Sequence, residues 1–565
     1  MEASFCFQPE ISLHSTNNKF SRPKVMGRNT AASAIDIFRT AIDRFRTRRI
    51  AAKSWLKFGN SVRPFSYFGL NFHSKAPRID FSRVKELDDD IHNKNTMKQI
   101  EVVFIPGAAL SHIVGAVETA KLLLERAERV SITVVIMKPF KDMKVDTYTE
   151  KISSSNPRLR IINLPTPDGP PTPSPTFVFD YMESRLPHVR EIVSQLMEKS
   201  TSQLAGLVLD LFTTNFIDVA GEFGLPSYVF STCGACYLGM SWNFISLING
   251  HHLPELDSRS DDFELSVPYF SVPVPSKVLP GRNCEDHPTT KCILKCLMRL
   301  SEVKGIVVNT FYDLEPYAID SLMSDVKAPK VYAVGPVLNS SSVDDDDDVK
   351  KWLDNQPEKS VIFLSFGTMG CLDEAQVREI ALALEKCGYR FLWCLRNPGI
   401  PGVPPPPTTS QVLPEGFLER TKGIGKVIEW APQKAVLAHP AVGGFVSHCG
   451  WNSTLESVWY GVPIAAFPLF AEQHLNAFQI VTELGMAEAI TLDYQMDFTG
   501  EKPPQIAGWE EIAAAIRRLM AVDGGSGVRD KVKDMQKKAR AAFQEGGSSY
   551  KALSVFIEDV IRNIS

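Results

Sequence analysis

The chain has 565 residues, 44% of them hydrophobic and 22% charged. It is too long for one ordinary core and fits two globular domains with additional segments. Its formal net charge of −4 excludes a global attraction to nucleic acid or to an anionic membrane.

Charge is unevenly spread along the chain. Residues 1–96 carry 17 Lys+Arg against 9 Asp+Glu, a net of +8, which leaves −12 for residues 97–565. Head and body read as separate pieces. Within the head, Ile35, Phe38, Ala41, Ile42 and Phe45 recur at helical spacing, with Arg39, Arg44, Arg46, Arg48 and Arg49 among and after them. This is the pattern of a short basic amphipathic helix. Two readings stand for residues 1–96: an organelle-targeting or membrane-surface segment, or a disordered or non-native extension ahead of a start at Met97. The head lacks the short basic start and apolar run of a secretory signal.

From Met97 the pattern becomes regular. Glu101–Ile105 is a short apolar run, as expected of a strand buried on both faces. A small-residue turn follows, then a helix from about Gly115 to Arg126 and a strand at Ser131–Met137. Strand, loop, helix, strand is a Rossmann-like opening. Leu204–Leu209, Ser227–Phe230 and Gly305–Val308 are further strands. Pro165–Pro175 is a Pro-rich loop, and His252–Cys284 shows little periodicity; long irregular stretches of this kind are often binding loops. After Tyr332–Leu338 come Asn339, three serines and the run Asp344–Asp348, a polar inter-domain linker.

The same alternation then restarts. Val361–Phe366 and Phe391–Leu395 are strands, Asp373–Cys387 is a helix with its acids at the favourable end of the dipole, and Pro401–Pro407 is a loop. The expected division is therefore 1–96 as extension, 97–338 as one Rossmann-like domain, 339–350 as linker and 351–565 as a second. The last helix is expected to pack back on the first domain. Two such halves predict a cleft between them, with ligands at the carboxyl ends of the strands.

The most informative stretch is WAPQKAVLAHPAVGGFVSHCGWNSTLESVWYGVPIAAFPLFAEQ, from Trp430 to Gln473. Gly443–Ser447 reads as a strand entering a tight turn, and His448–Glu456 turns into a helix. Unpaired N–H groups and the dipole make such a helix start an anion site. Asn452, Ser453 and Thr454 are equally good capping residues, so the residues alone leave both readings open. This stretch resembles, over all 44 positions, the signature of the plant secondary product UDP-glycosyltransferases. Gly305–Ile319, Val331–Leu338 and Gly546–Ser549 resemble that family as well, and the resemblance covers residues 97–565 but none of 1–96.

The resemblance implies an α/β fold of GT-B type, with two facing Rossmann-like domains. It implies that Trp430 stacks on the uracil and Gln433 bonds the uridine. Glu456 would accept from the ribose hydroxyls, and His448, Asn452, Ser453 and the backbone near Gly450 would hold the diphosphate. Thr368, where the family more often has Ser, would also contact phosphate. Trp451, Glu472 and Gln473 would face the sugar, and Gln473, rather than the His that accompanies galactose use, points to UDP-glucose as co-substrate. Outside the family the alternatives are plainer: a core tryptophan at Trp430, a solvated helix charge at Glu456.

Inverting transfer needs a base for the acceptor hydroxyl, an in-line arrangement and stabilisation of the departing UDP. The resemblance places the base at His112 and its partner at Asp210, which ends the strand Leu207–Asp210; the family's usual Gly before the histidine is Ser111 here. Histidine suits the task because its pKa lies near neutrality, and a partner carboxylate fixes its tautomer. No cofactor and no metal is expected. The DxD within Asp344–Asp348 reads as solvated linker. Cys284-x2-His287-x4-Cys292-x3-Cys296 lacks the paired knuckles of zinc sites, and Cys233-x2-Cys236 reads as packing or acceptor-pocket lining. Ten scattered cysteines point to a reducing compartment, and no apolar run reaches the roughly 18 residues of a membrane helix; a cytoplasmic protein without an integral membrane segment is expected, and a monomer. Its expected partners are a UDP-sugar and a small lipophilic acceptor (a flavonoid, phenolic or terpenoid-like hydroxyl compound), not nucleic acid. Two rival readings are a dinucleotide oxidoreductase, which needs a G-x-G-x-x-G turn absent after Ile105 and Phe366, and a silent nucleotide-sugar binder, which should lack His112 or Asp210.

Overall fold

The computed structural model describes residues 99–153, 156–167, 174–199, 202–249, 263–280, 287–340, 347–396, 409–496, 505–521 and 527–564. The basic segment of residues 1–96, the Pro401–Pro407 loop, Asp344–Asp346 and Cys284 lie outside them.

The first half is built on seven parallel strands. In chain order the strands are β1 (Gln99–Ile105), β2 (Val130–Ile136), β3 (Leu159–Asn163), β4 (Ser202–Asp210), β5 (Ser227–Ser231), the short antiparallel pair β6 (Glu264–Leu265) and β7 (Val274–Pro275), then β8 (Gly305–Val308) and β9 (Lys330–Ala333). The main sheet runs β3-β2-β1-β4-β5-β8-β9. Both its faces are covered, which is why β1 is apolar rather than alternating. Val103 and Ile105 point into one core with Leu207 and Leu209, while Ile100, Val102 and Phe104 point into the other. Glu101 is the buried exception; its carboxylate accepts from the hydroxyls of Ser131 and Thr133 on β2.

The second half has six parallel strands: β10 (Val361–Ser365), β11 (Arg390–Cys394), β12 (Gly425–Ile428), β13 (Val442–Ser447), β14 (Ile464–Ala466) and β15 (Ala487–Ala489). Their order, β12-β11-β10-β13-β14-β15, is the 3-2-1-4-5-6 order of a doubly wound nucleotide-binding sheet. Val361, Ile362, Phe363 and Leu364 of the central strand are fully buried, each contributing roughly 1.5–3 kcal/mol of burial.

Several expectations needed correction. The first helix, α1, spans Leu110–Arg126 and does not wait for Gly115. Gly115 lies inside it because a Cβ there would sit 3.1 Å from the Phe230 ring, so the glycine gives clearance against the sheet and is not a turn signal. Strand β3 was missed, since Leu159–Asn163 includes an exposed Arg160 at a sheet edge and reads as irregular. The linker is shorter than residues 339–350, because Asp347–Asp354 forms a helix whose Val349 and Leu353 enter the second core. Aspartates at a helix N-terminus are favoured by the dipole, so the same residues that read as solvated linker start an element. The final helix, Ser548–Arg562, leaves the second half and packs on the first. Phe556 lies against the Tyr228 and Tyr332 rings, and Asp559 accepts from Tyr332 Oη at 2.7 Å.

Candidate active site

His112 stands in the first turn of α1, just past the carboxyl end of β1, and Asp210 closes β4 beside it. Their link is short: His112 Nδ1 to Asp210 Oδ2 is 2.7 Å, with both residues buried. The other carboxylate oxygen, Oδ1, accepts from the Phe212 N–H at 2.9 Å. Thr213 Oγ1 accepts from the Asp210 N–H at 2.8 Å and donates to the Ile105 carbonyl at 2.8 Å, tying the ends of β1 and β4 together. Asp210 is thus fixed in rotamer before it meets the histidine. The Phe212 ring lies 5.5 Å from the imidazole, and Phe179 meets Phe212 edge-on at 6.2 Å, so the histidine has an aromatic flank.

Across the cleft, β13 runs into a turn and then into the helix α2 (Trp451–Tyr460), capped by Gly450 and free of acidic residues in its first turn. Cys449 in that turn has φ +60, and Ala471 in the loop after β14 has φ +56. Left-handed backbone at non-glycine residues costs about 1–3 kcal/mol and gathers at functional sites. Asn476 Nδ2 holds the strained turn by donating to the Cys449 carbonyl at 3.0 Å. The His448 ring lies between Gly367 and Gly450, where a Cβ would come within 2.5 and 2.6 Å of its Nε2; neither position admits a side chain. Ser111, His112, Thr232 and Cys233 from the first half and His448, Gly450, Trp451, Asn452, Ser453, Glu472 and Gln473 from the second line one pocket.

A second group extends this pocket along α2. Gln433 Nε2 donates to Ser453 Oγ at 2.9 Å and to Glu456 Oε2 at 2.8 Å. Withdrawal from water pushes the half-buried Glu456 carboxyl up to about 7, against the pull of Gln433 and of Lys434. It is not the solvated helix charge of the plainer reading. Trp430, 39% exposed, is not a core tryptophan either.

The comparisons with known proteins agree on one family. Residues 305–496 match the family described as UDP-glucoronosyl and UDP-glucosyl transferase. A Fragaria ananassa protein provisionally named UDP-glucose flavonoid 3-O-glucosyltransferase 3 is 46% identical over 483 residues, 82% of this chain and 100% of the relative. A UGT transferase of Siraitia grosvenorii, solved in complex with UDP, has a TM-score of 0.72 at 42% identity, over 82% of this chain and 100% of that one. A Medicago truncatula UGT solved with UDP-glucose has a TM-score of 0.71 at 39% identity, over 82% and 98%. The chain belongs to the plant UDP-glycosyltransferases.

Its architecture is the GT-B fold, and the cleft between the two sheets is the glycosyltransferase cleft. Within it, several side chains differ from expectation in what they offer. Trp451 was expected to face the sugar, but its indole N–H is committed to the Asn309 carbonyl at 2.7 Å across the cleft, so only its ring borders the pocket. Gln473 Oε1 accepts from the Leu469 and Phe470 N–H groups at 3.0 and 3.2 Å; its amide NH2 is what remains for a ligand. Thr368 lies exposed in the turn that brings Gly367 against His448 and does not line the pocket. His287, the histidine of the loosely zinc-like run, caps a helix by accepting from the Thr289 N–H through Nδ1.

Four residues of the glycosyltransferase were not singled out from sequence: Thr213, Asn309, Glu315 and Gln479. Asn309 and Glu315 sit in Gly305–Ile319, a stretch with family resemblance but no chemical signal of its own. Among the described residues no helix is long and apolar enough to cross a membrane.

Proposed function

We propose that this UDP-glycosyltransferase is an inverting, UDP-glucose-dependent glucosyltransferase. His112 takes the proton from a hydroxyl of a small lipophilic acceptor, and Asp210 orients it. The observation that carries this reading is the 2.7 Å contact between His112 Nδ1 and Asp210 Oδ2, made at the wall of a pocket whose opposite wall is the α2 N-terminus. With Asp210 accepting the Nδ1 proton, His112 Nε2 keeps its lone pair and acts as base. The acceptor oxygen attacks the anomeric carbon opposite the phosphate as its proton passes to Nε2. The bond from that carbon to the phosphate oxygen breaks, and UDP leaves with the electron pair. The buried Asp210 carboxylate balances the imidazolium.

Charge on the departing diphosphate is met by the N–H groups and dipole at the start of α2, with His448, Asn452 and Ser453 around it. This scheme needs no metal. Trp430 stacks on the uracil, Gln433 bonds the uridine and Glu456 accepts from the ribose. Glu472 accepts from sugar hydroxyls and the Gln473 amide donates to one. The choice of UDP-glucose is supported by Gln473, by the name of the Fragaria relative and by the UDP-glucose bound to the Medicago structure. The Phe212 ring beside His112, itself met edge-on by Phe179, favours an apolar acceptor, and the relative named for flavonoids points to a flat one. The test is UDP release from UDP-glucose with a panel of flavonols, phenols, coumarins and terpenoid alcohols. Turnover by the wild type and none by His112→Ala, with UDP affinity kept, supports the reading; UDP binding lost together with turnover overturns the assignment of His112.

A further inference from the structure

The two halves are not merely apposed; each contributes to the other's core. Phe311 and Leu314, in the turn after β8, lie in the core of the second half. Leu475 and Phe478, on the helix α3 (Gln473–Phe478), lie in the core of the first, with the Phe478 ring 6.0 Å from Phe270. Glu315 sits at this junction, 2% exposed. Its Oε2 accepts from the Ala235 N–H at 2.7 Å and its Oε1 from the Cys236 N–H at 2.8 Å, at the start of the helix Ala235–Asn249. From the other half, Gln479 Nε2 donates to the same Oε1 at 3.3 Å. Gln479 is also where α3 leaves α geometry for a π turn, Gln479–Glu483, a distortion that gathers at functional sites.

What Glu315 holds is the acceptor-side wall of the pocket. Thr232 and Cys233 line that wall, facing Glu472 and Gln473. Gly234 follows them and is wedged in place: a Cβ there would be 2.7 Å from Glu315 Oε1 and 2.8 Å from the Trp451 ring. One carboxylate therefore bonds both the helix that begins behind the acceptor wall and the helix that carries the sugar wall. We propose that Glu315 is a positioning residue for glycosyl transfer, which sets the register of the Thr232–Cys233 wall against the Glu472–Gln473 wall. This rests on the functional reading above and deepens it.

A glutamine at 315 would have one oxygen for three donors, so its amide would face an N–H. Glu315→Gln is expected to lower kcat for transfer about 100-fold, the scale of a misplacement near 1 Å, with UDP affinity within about twofold. Because that variant could also fold poorly, Gln479→Met removes only the bond from the second half; a loss of about tenfold in kcat is expected for it. The discriminating readout is the ratio of transfer to hydrolysis, measured as UDP release with and without acceptor per folded molecule. Misplacing the acceptor wall lowers transfer more than attack by water, whereas a residue that only stabilises the fold leaves the ratio unchanged. A lowered ratio in Gln479→Met, and in Glu315→Gln where it folds, supports the proposal. An unchanged ratio in Gln479→Met, or UDP affinity lost in step with kcat, overturns it. His112→Ala is run beside them: if it turns over like the wild type, the functional reading fails, whatever Glu315 does.

Discussion

Replacing Asp210 by Asn would test the dyad with almost no change in shape. The side chain is 2% exposed and held at both oxygens. Oδ1 accepts from the Phe212 N–H at 2.9 Å, so the asparagine carbonyl must take that place. Its NH2 group is then forced toward His112 Nδ1, 2.7 Å away from the present oxygen. A donor there makes Nδ1 an acceptor and moves the ring proton to Nε2, the atom proposed to receive the acceptor's proton. The imidazolium also loses its counter-charge. In a dyad of this kind the wrong tautomer costs about 10³–10⁴ in kcat, or roughly 4–5.5 kcal/mol of barrier. The assay is initial-rate UDP release at saturating donor and acceptor, with UDP affinity by calorimetry on the same samples. A kcat within tenfold of wild type in a folded Asp210→Asn protein would refute the argument. So would a fall in UDP affinity matching the fall in rate.

Other outcomes follow from the same geometry. Gly107→Ala places a Cβ 3.1 Å from Asp210 Oδ1 and 3.3 Å from His112 Nδ1; steady-state kinetics should show kcat reduced several-fold with UDP affinity intact. Trp430→Ala should weaken UDP by about tenfold or more, since stacking on a base contributes roughly 1–3 kcal/mol, while the melting temperature barely moves because the ring is exposed. The Glu456 carboxyl, pushed up to about 7, is largely protonated in the empty site at pH 6. With ribose hydroxyls donating to the carboxylate, as proposed, affinity should rise with pH and level off above 7. Uridine is the probe, because it has no phosphate to titrate: titration calorimetry should show about a tenfold gain between pH 6 and pH 8, and a flat profile for Glu456→Gln. An equal slope in the variant would remove Glu456 from the ribose site.

Where the sequence was legible, a local physical signal existed. Apolar runs such as Val361–Phe366 marked strands buried on both faces, and the pattern of Gly443–Glu456 marked the strand, turn and helix start that border the pocket. The neighbourhood of His112 and Asp210 came from the family resemblance, since 98 residues separate them and no local pattern joins them. What stayed hidden depended on partners distant in the chain. Gly115 read as a helix boundary because its reason, the Phe230 ring, is contributed by β5. Trp451 and Gln473 do line the pocket, but the hydrogen bonds that occupy them were not legible, because Asn309 and the Leu469–Phe470 backbone use part of their capacity. Asp347 and Asp348 looked like linker because nothing in their own composition shows Val349 and Leu353 reaching a core.

The shared cores bear on how donor and acceptor are selected. Binding clefts between two domains are often opened by relative motion, with hinges in the connecting chain. Here the floor of the cleft is crossed by Phe311 and Leu314 in one direction and by Leu475 and Phe478 in the other, with the Trp451 to Asn309 and Gln479 to Glu315 hydrogen bonds between them. Separating the halves at that point would expose four core side chains and strand buried donors, each of which costs about 1–3 kcal/mol when left unpaired. Opening at the floor is therefore far more costly than movement of the loops at the rim. The Glu472–Gln473 wall at the start of α3 stays docked against the first half whichever acceptor is present. Changes in the first-half residues that receive α3, Phe270 and Glu315 among them, should then alter donor kinetics as well as acceptor kinetics, even though neither residue lines the pocket.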